Sequence, residues 1–151
     1  MNLVLWRHAD AEDAAPGVSD EARRLTSKGE KQAKRMAAWL KGQLPDEVEI
    51  LASPARRAQQ TAQALTRHFK TVVEVGTAAS PESVLKAAGW PAGDATVVVV
   101  GHQPTLGQVA ALALTGSPAD WSLKKGALWW IESRGRGDVV VRAVVAPELL
   151  K

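Results

Sequence analysis

Short apolar runs alternate with stretches of helical spacing along the chain. Residues 2–6 form a β-branched and leucine-rich run, which predicts a first strand, and the polar segment 9–24, with Pro16 and Gly17, predicts a long loop. From 27 to 44 the apolar residues Ala33, Met36, Ala37, Leu40 and Leu44 share one helical face. Ser27 with Glu30 fits a capping box at the start of that helix, and Gly42 and Pro45 end it. Residues 47–52 read as a second strand. Ser53-Pro54 then reads as a helix opening, serine as N-cap and proline at the first helical position, with the helix running to about residue 68 and burying Ala58, Ala62, Leu65 and then Phe69.

The alternation continues to the end of the chain. Residues 71–75 predict a third strand, and Ser80-Pro81 repeats the cap signal before a short helix ending near Gly89. The valines of 96–100 are uninterrupted, as in strands buried on both faces. A helix from 104 to about 114 presents Leu106, Val109, Ala110 and Ala113 and stops at Gly116. Residues 127–131 and 138–145 predict two last strands around a turn at 135–137, with Trp129 and Trp130 facing opposite sides. This order of elements predicts one α/β domain over residues 1–151, a three-layer α/β/α sandwich around a mostly parallel sheet.

Composition narrows the function classes. With no cysteine among 151 residues, disulfide scaffolds, thiolate zinc sites and cysteine nucleophiles are excluded. No apolar run approaches the roughly 18 residues of a membrane helix, and Arg7 and His8 interrupt the first run before a secretory core could form, so a cytoplasmic protein without membrane contact is expected. The net charge of +3 is spread along the chain and interleaved with acids, which predicts solvated surface rather than a nucleic-acid site.

In sheets of this kind ligands collect beyond the carboxyl ends of the strands. Arg7 and His8 follow the first strand, Ser53, Arg56 and Arg57 the second, and His102 the valine strand. Guanidinium forks and helix N-termini at one rim suit a tetrahedral oxyanion such as a phosphoryl group. A histidine among cations stays neutral near pH 7, which makes His8 the candidate nucleophile and leaves His102 to donate to the phosphoryl oxygens. Plainer readings exist for each piece. An Arg-His pair at a strand end is commonly structural, His68 reads as a helix-dipole cap, and Ser53 reads as an N-cap. A metal site from His8, His102, Asp10 and Glu12 is disfavoured by Arg7 alongside and by spacings that match no common ligand pattern.

Four segments together resemble the histidine phosphatase superfamily, and within it the small phosphohistidine phosphatases of the SixA type. They are Leu5-Trp6-Arg7-His8-Ala9; Arg23-Arg24-Leu25-Thr26 with Gly29; Ser53-Pro54-Ala55-Arg56-Arg57-Ala58-Gln59-Gln60-Thr61; and Gly101-His102-Gln103-Pro104. These anchors span about two-thirds of the chain. The resemblance implies a phosphoglycerate mutase-like fold, with His8 as nucleophile, Arg7 and Arg57 holding the phosphoryl oxygens, His102 as the second histidine and Arg23 as a further phosphate-binding residue. It also implies a phosphohistidine intermediate hydrolysed by water, with no metal or other cofactor.

Two positions depart from the family pattern: Ala9 stands for the usual glycine, and Arg24 for a proline. The general acid of many relatives has no evident counterpart, because position 103 is Gln; Asp10, Glu12 and Glu82 are the candidates. A leaving imidazole has a pKa near 6.5 and carries its own proton, so this gap favours phosphohistidine over ester substrates. The expected substrate is therefore phosphohistidine on a phosphotransfer or phosphocarrier protein, met by a monomeric enzyme. A small-molecule phosphomonoesterase and a non-catalytic phosphate- or nucleic-acid-binding module are the alternatives.

Overall fold

The computed structural model describes residues 1–150; Lys151, the last residue of the expected domain, lies outside. Strands β1 (Asn2–Arg7), β2 (Glu49–Ala52), β3 (Lys70–Thr71), β4 (Thr96–Gly101), β5 (Leu128–Ser133) and β6 (Val139–Val145) form one sheet in the order β3-β2-β4-β1-β5-β6. The first four run parallel, and β5 and β6 are antiparallel to their neighbours. Helices α1 (Ser27–Gln43) and α2 (Arg56–Leu65) cover one face, α3 (Pro81–Ala88) and α4 (Thr105–Thr115) the other.

The period-2 pleat divides the core accordingly. Val4, Trp6, Val98 and Val100 pack with Met36, Leu40, Ala58 and Ala62 of α1 and α2. Leu3, Leu5, Val97 and Val99 pack with Val84 of α3 and Leu106 and Val109 of α4. Each such buried aliphatic side chain contributes roughly 1.5–3 kcal/mol relative to exposure. Trp130 joins the α1/α2 side and Trp129 the α3/α4 side. A sheet greased on both faces holds the carboxyl ends of β1, β2 and β4 rigidly side by side.

Local boundaries differ from the sequence expectations where long-range partners intervene. Thr26, not Ser27, caps α1: its Oγ accepts from Gly29 N–H at 3.0 Å while its hydroxyl donates to Asp10 Oδ2 at 2.7 Å. Gly29 fits there because any Cβ would collide with the Asp10 carbonyl, so α1 starts pressed against the loop after β1. Helix α2 starts at Arg56, without a side-chain cap, and stops at Leu65. The expected third strand shrinks to Lys70–Thr71; the chain then turns through a 3₁₀ segment, Val73–Val75, that buries Val75 and leaves Val73 71% exposed. The Ser80 cap of α3 and the left-handed Gly89 and Gly116 that end α3 and α4 follow the expected signals. Among the described residues no helix is long and apolar enough to cross a membrane.

Candidate active site

At the carboxyl ends of the parallel strands lies a cleft of about 310 Å³ whose lining includes Arg7 at the end of β1 and His8 after it, His102 after β4, Arg57 on α2, and Asp20 and Arg23 from the long first loop. Thus residues far apart in the sequence meet at one site, and all five sequence-selected residues border the same cleft. Arg57 is 4% exposed whereas Arg56 faces solvent, which resolves the Arg-Arg pair of the motif.

His8 is buried, and its Nδ1 lies 2.7 Å from the Ala9 carbonyl oxygen. A carbonyl can only accept, so the proton of the neutral ring is on Nδ1 and the lone pair is on Nε2. Burial pulls the His8 pKa down to about 3; the bond to Ala9 opposes this, and His102, Arg57 and Arg7 add to the lowering. The loop carrying His8 is fixed by Ala9 N–H donating to Thr61 Oγ at 3.1 Å, while the Thr61 hydroxyl donates to the Arg57 carbonyl at 2.8 Å. One threonine thereby ties the His8 loop to the first turn of the helix that carries Arg57. Ala9 does not take a positive φ, so its methyl replaces the family glycine without backbone strain.

The His102 ring stands 5.3 Å from that of His8, tilted by 55°. Its pKa is lowered to about 4, first by burial, then by Arg57, with Asp20 opposing and Arg7 and Arg23 adding. His102 Nε2 lies 2.7 Å from Ser53 Oγ, and that hydroxyl already accepts from Ala55 N–H at 3.1 Å. The hydroxyl proton can go to Nε2, and in that arrangement the His102 proton is on Nδ1. Nδ1 is buried and has no hydrogen-bond partner, as are Arg7 Nε and Arg57 Nε. Ser53 is therefore not the expected N-cap of α2 but the orienting partner of His102.

The guanidiniums are held as firmly. Arg7 Nη1 donates to the Leu123 carbonyl at 2.8 Å. Arg57 Nη1 donates to the Asp20 carbonyl at 2.7 Å and Nη2 to Asp20 Oδ2 at 3.1 Å. The other Asp20 oxygen accepts from Arg23 Nε at 3.1 Å and Nη2 at 2.9 Å. These bonds, Arg23 first, hold the Asp20 carboxyl below its usual pKa. The sequence reading missed Asp20; its only local signal is the i, i+3 spacing to Arg23.

The three acid candidates point elsewhere. The Asp10 carboxylate is taken by Thr26 and by Lys125 at 3.2 Å, and Glu12 pairs with Arg24 at 3.0 Å on the surface. Glu82 lies on α3 and does not border the cleft. Asp13 does border it, in an exposed position at the mouth. The Gln103 amide is engaged at both ends, accepting from Gly107 N–H at 2.7 Å and donating to the Trp121 carbonyl at 2.9 Å. Arg24, in the proline position, accepts at its carbonyl from Glu12 N–H at 2.8 Å, a backbone pairing that a proline would also allow. Among the described residues no three His, Asp or Glu side chains converge as a metal-holding group. His68 is exposed and lies three residues beyond the end of α2, too far past it for the dipole-capping position expected.

Residues 3–79 match the model of the histidine phosphatase superfamily (branch 1). The chain belongs to the histidine phosphatase superfamily. This histidine phosphatase is 33% identical over 119 residues to the phosphohistidine phosphatase SixA of Escherichia coli, covering 74% of this chain and 73% of that one. It is 34% identical over 130 residues to a SixA homolog of Haemophilus influenzae, covering 74% and 76%. In fold it is similar to a solved structure of the protein histidine phosphatase SixA complexed with tungstate, with a TM-score of 0.81, 24% identity and 99% of both chains covered.

Proposed function

We propose that the protein hydrolyses phosphohistidine on a protein substrate through a phosphorylated His8. The observation that carries this reading is the state of His8: a buried, neutral imidazole with Nδ1–H fixed on Ala9, in a cleft it shares with a second imidazole, the buried Arg57 and the half-buried Arg7. Kinship with the SixA proteins of two bacteria supports the phosphatase assignment.

In the first step His8 Nε2 attacks phosphorus and the bond from phosphorus to the substrate nitrogen breaks. The substrate ring enters protonated on its other nitrogen, so the electron pair of the broken bond stays on the ring and the imidazole departs neutral, keeping that proton. Arg7, Arg57 and Nδ1–H of His102 donate to the phosphoryl oxygens, and their fixed partners spare the cost of reorganising them as charge moves. Water then adds its oxygen to phosphorus as the bond to His8 Nε2 breaks. His8 returns to its neutral form with Nδ1–H still on Ala9, and the water's proton leaves with phosphate or to solvent.

Ester substrates need a proton for the leaving oxygen, and the cleft carboxylate nearest the arginines, Asp20, is committed to Arg23 and Arg57. A phosphohistidine protonated on its other ring nitrogen brings that proton with it. Brief incubation with a phosphohistidine protein is expected to leave acid-labile phosphate on His8, and His8→Ala to lose both label and turnover. Wild-type turnover in His8→Ala, or efficient ester hydrolysis with none of phosphohistidine, would overturn the reading.

A further inference from the structure

Arg7 has a second role in the topography: together with Lys125 it forms the boundary between the cleft and a larger neighbouring groove of about 680 Å³. One wall of the groove is α1, where Lys28, Lys31 and Arg35 follow one another at i, i+3 and i+7 on a single face. The opposite wall is the loop of residues 122–125, with Lys124 and Lys125, and the floor includes Pro147 and Glu148.

The lining holds six cations and two carboxylates, a net of +4 against +3 for the whole chain, so the rest of the molecule carries a net of −1. Lys124 is engaged by Glu148 at 3.2 Å and Lys125 by Asp10 at 3.2 Å. Lys28, Lys31 and Arg35 are exposed and make no ion pair among the described residues. The positive charge of the protein is thus not spread evenly, as its sequence distribution suggests, but concentrated beside the catalytic cleft.

Folding imposes that concentration. Gly29 lets the first turn of α1 press on the Asp10 carbonyl, and Gln32 Oε1 accepts from Asp10 N–H at 2.9 Å, so the helix face carrying the cations is anchored to the loop that follows His8. Its three cations cannot be core-directed, because the buried stripe of α1 is Ala33, Met36, Ala37 and Leu40. They fall on solvent beside the site, about 10 Å of helix length from Lys28 to Arg35. A phosphoryl group needs only the cleft; the groove next to it, about 680 Å³ against about 310 Å³, is lined mainly by charged side chains.

We infer that this groove docks an acidic surface of the protein that bears the phosphohistidine, with Lys28, Lys31 and Arg35 reading its carboxylates. The inference rests on the phosphatase reading above and adds the partner's chemistry. Exposed cations facing exposed carboxylates mainly raise the encounter rate and orient the partner, so their effect belongs in kcat/KM and weakens with salt.

The test uses the full chain and its triple variant Lys28→Glu/Lys31→Glu/Arg35→Glu, with two substrates. One is the small molecule phosphoramidate; the other is a histidine phosphotransfer domain phosphorylated on its histidine, in a wild-type acidic form and in a form with its surface carboxylates neutralised. The expected result is phosphoramidate turnover within about twofold of wild type, which also shows that the variant folds, and a loss of at least about tenfold in kcat/KM on the acidic domain. The loss should shrink at high salt and on the neutralised domain. A triple variant that processes the acidic domain as well as the unmodified enzyme overturns the docking inference. So does a variant that loses only binding to a single-stranded oligonucleotide. An unmodified enzyme inert on both substrates overturns the phosphatase reading instead, and the separate milder variant Lys31→Gln, expected near twofold, guards against effects of introduced acid.

Discussion

The cleft and the groove share Arg7 and a positive sign, yet their cations are built differently. Arg57 is buried, each of its terminal nitrogens bonded to Asp20, and Arg7 is bonded to the Leu123 carbonyl. Lys28, Lys31 and Arg35 stand in solvent without an ion-pair partner among the described residues. Fixed, desolvated donors act strongly on a charge at a defined point, since the local dielectric is low and nothing has to move. Solvated donors act weakly on any negative surface within a Debye length of about 8–10 Å. The same formal charge therefore serves transition-state stabilisation in one place and partner steering in the other.

The sharpest way to break that contrast is to remove Arg57. Arg57→Ala is expected to lower kcat/KM on phosphoramidate by about 10²–10³, the scale for losing a fixed donor to developing charge, and to lower it equally on a phosphohistidine protein. Groove substitutions leave the small substrate untouched. Parallel rate measurements on both substrates check this; an Arg57→Ala loss confined to the protein substrate would move Arg57 from chemistry to docking.

Acid separates the two regions next. His8 and His102 have folded pKa values of about 3 and about 4, below the roughly 6.5 of an unfolded imidazole. The unfolded chain therefore binds more protons between these limits, and stability is complete above pH 6.5 and lost as the pH falls toward 4 and 3. For His8 the fall from pH 7 to pH 5 costs the folded state roughly 2 kcal/mol, about 4–8 °C in melting midpoint for a chain of this size. Calorimetry should show a shallower fall in His8→Asn, and an unchanged slope when the groove lysines are replaced. The imidazole resonances of both rings should stay those of neutral histidine from pH 8 down to pH 5.

The layered fold was legible because its signals are local and repeated. Val97 to Val100 read as a strand buried on both faces, and each valine does find a helix on its side of the sheet. His8, Arg57 and His102 were legible because strand ends in such a sheet share one rim. Three features escaped for one reason, that each depends on a partner distant in sequence. Ser53-Pro54 carries the same local signal as an N-cap, and only His102, 49 residues on, redirects its hydroxyl. Asp20 sits in a polar loop without periodicity, and its role appears when Arg57 arrives from α2. Lys28, Lys31 and Arg35 read as an ordinary solvated face until the loop of 122–125 closes the opposite wall.

Ser53 supplies the finest distinction, because it is fully buried, does not line the cleft and touches no substrate in the proposed reaction. In the proposed reaction its hydroxyl donates to His102 Nε2, which leaves the ring proton on Nδ1, the form able to donate to a phosphoryl oxygen. Ser53→Ala removes one hydrogen bond of about 1 kcal/mol and lets the ring exchange tautomers, for an expected loss of up to about tenfold in kcat. Ser53→Thr, which keeps the hydroxyl, should recover most of it where its methyl is accommodated. A merely structural serine would lower stability without altering the His102 ring, so ¹⁵N spectra are the deciding measurement: loss of the Nδ1–H tautomer in Ser53→Ala identifies orientation, and an unchanged ring assigns Ser53 to packing alone.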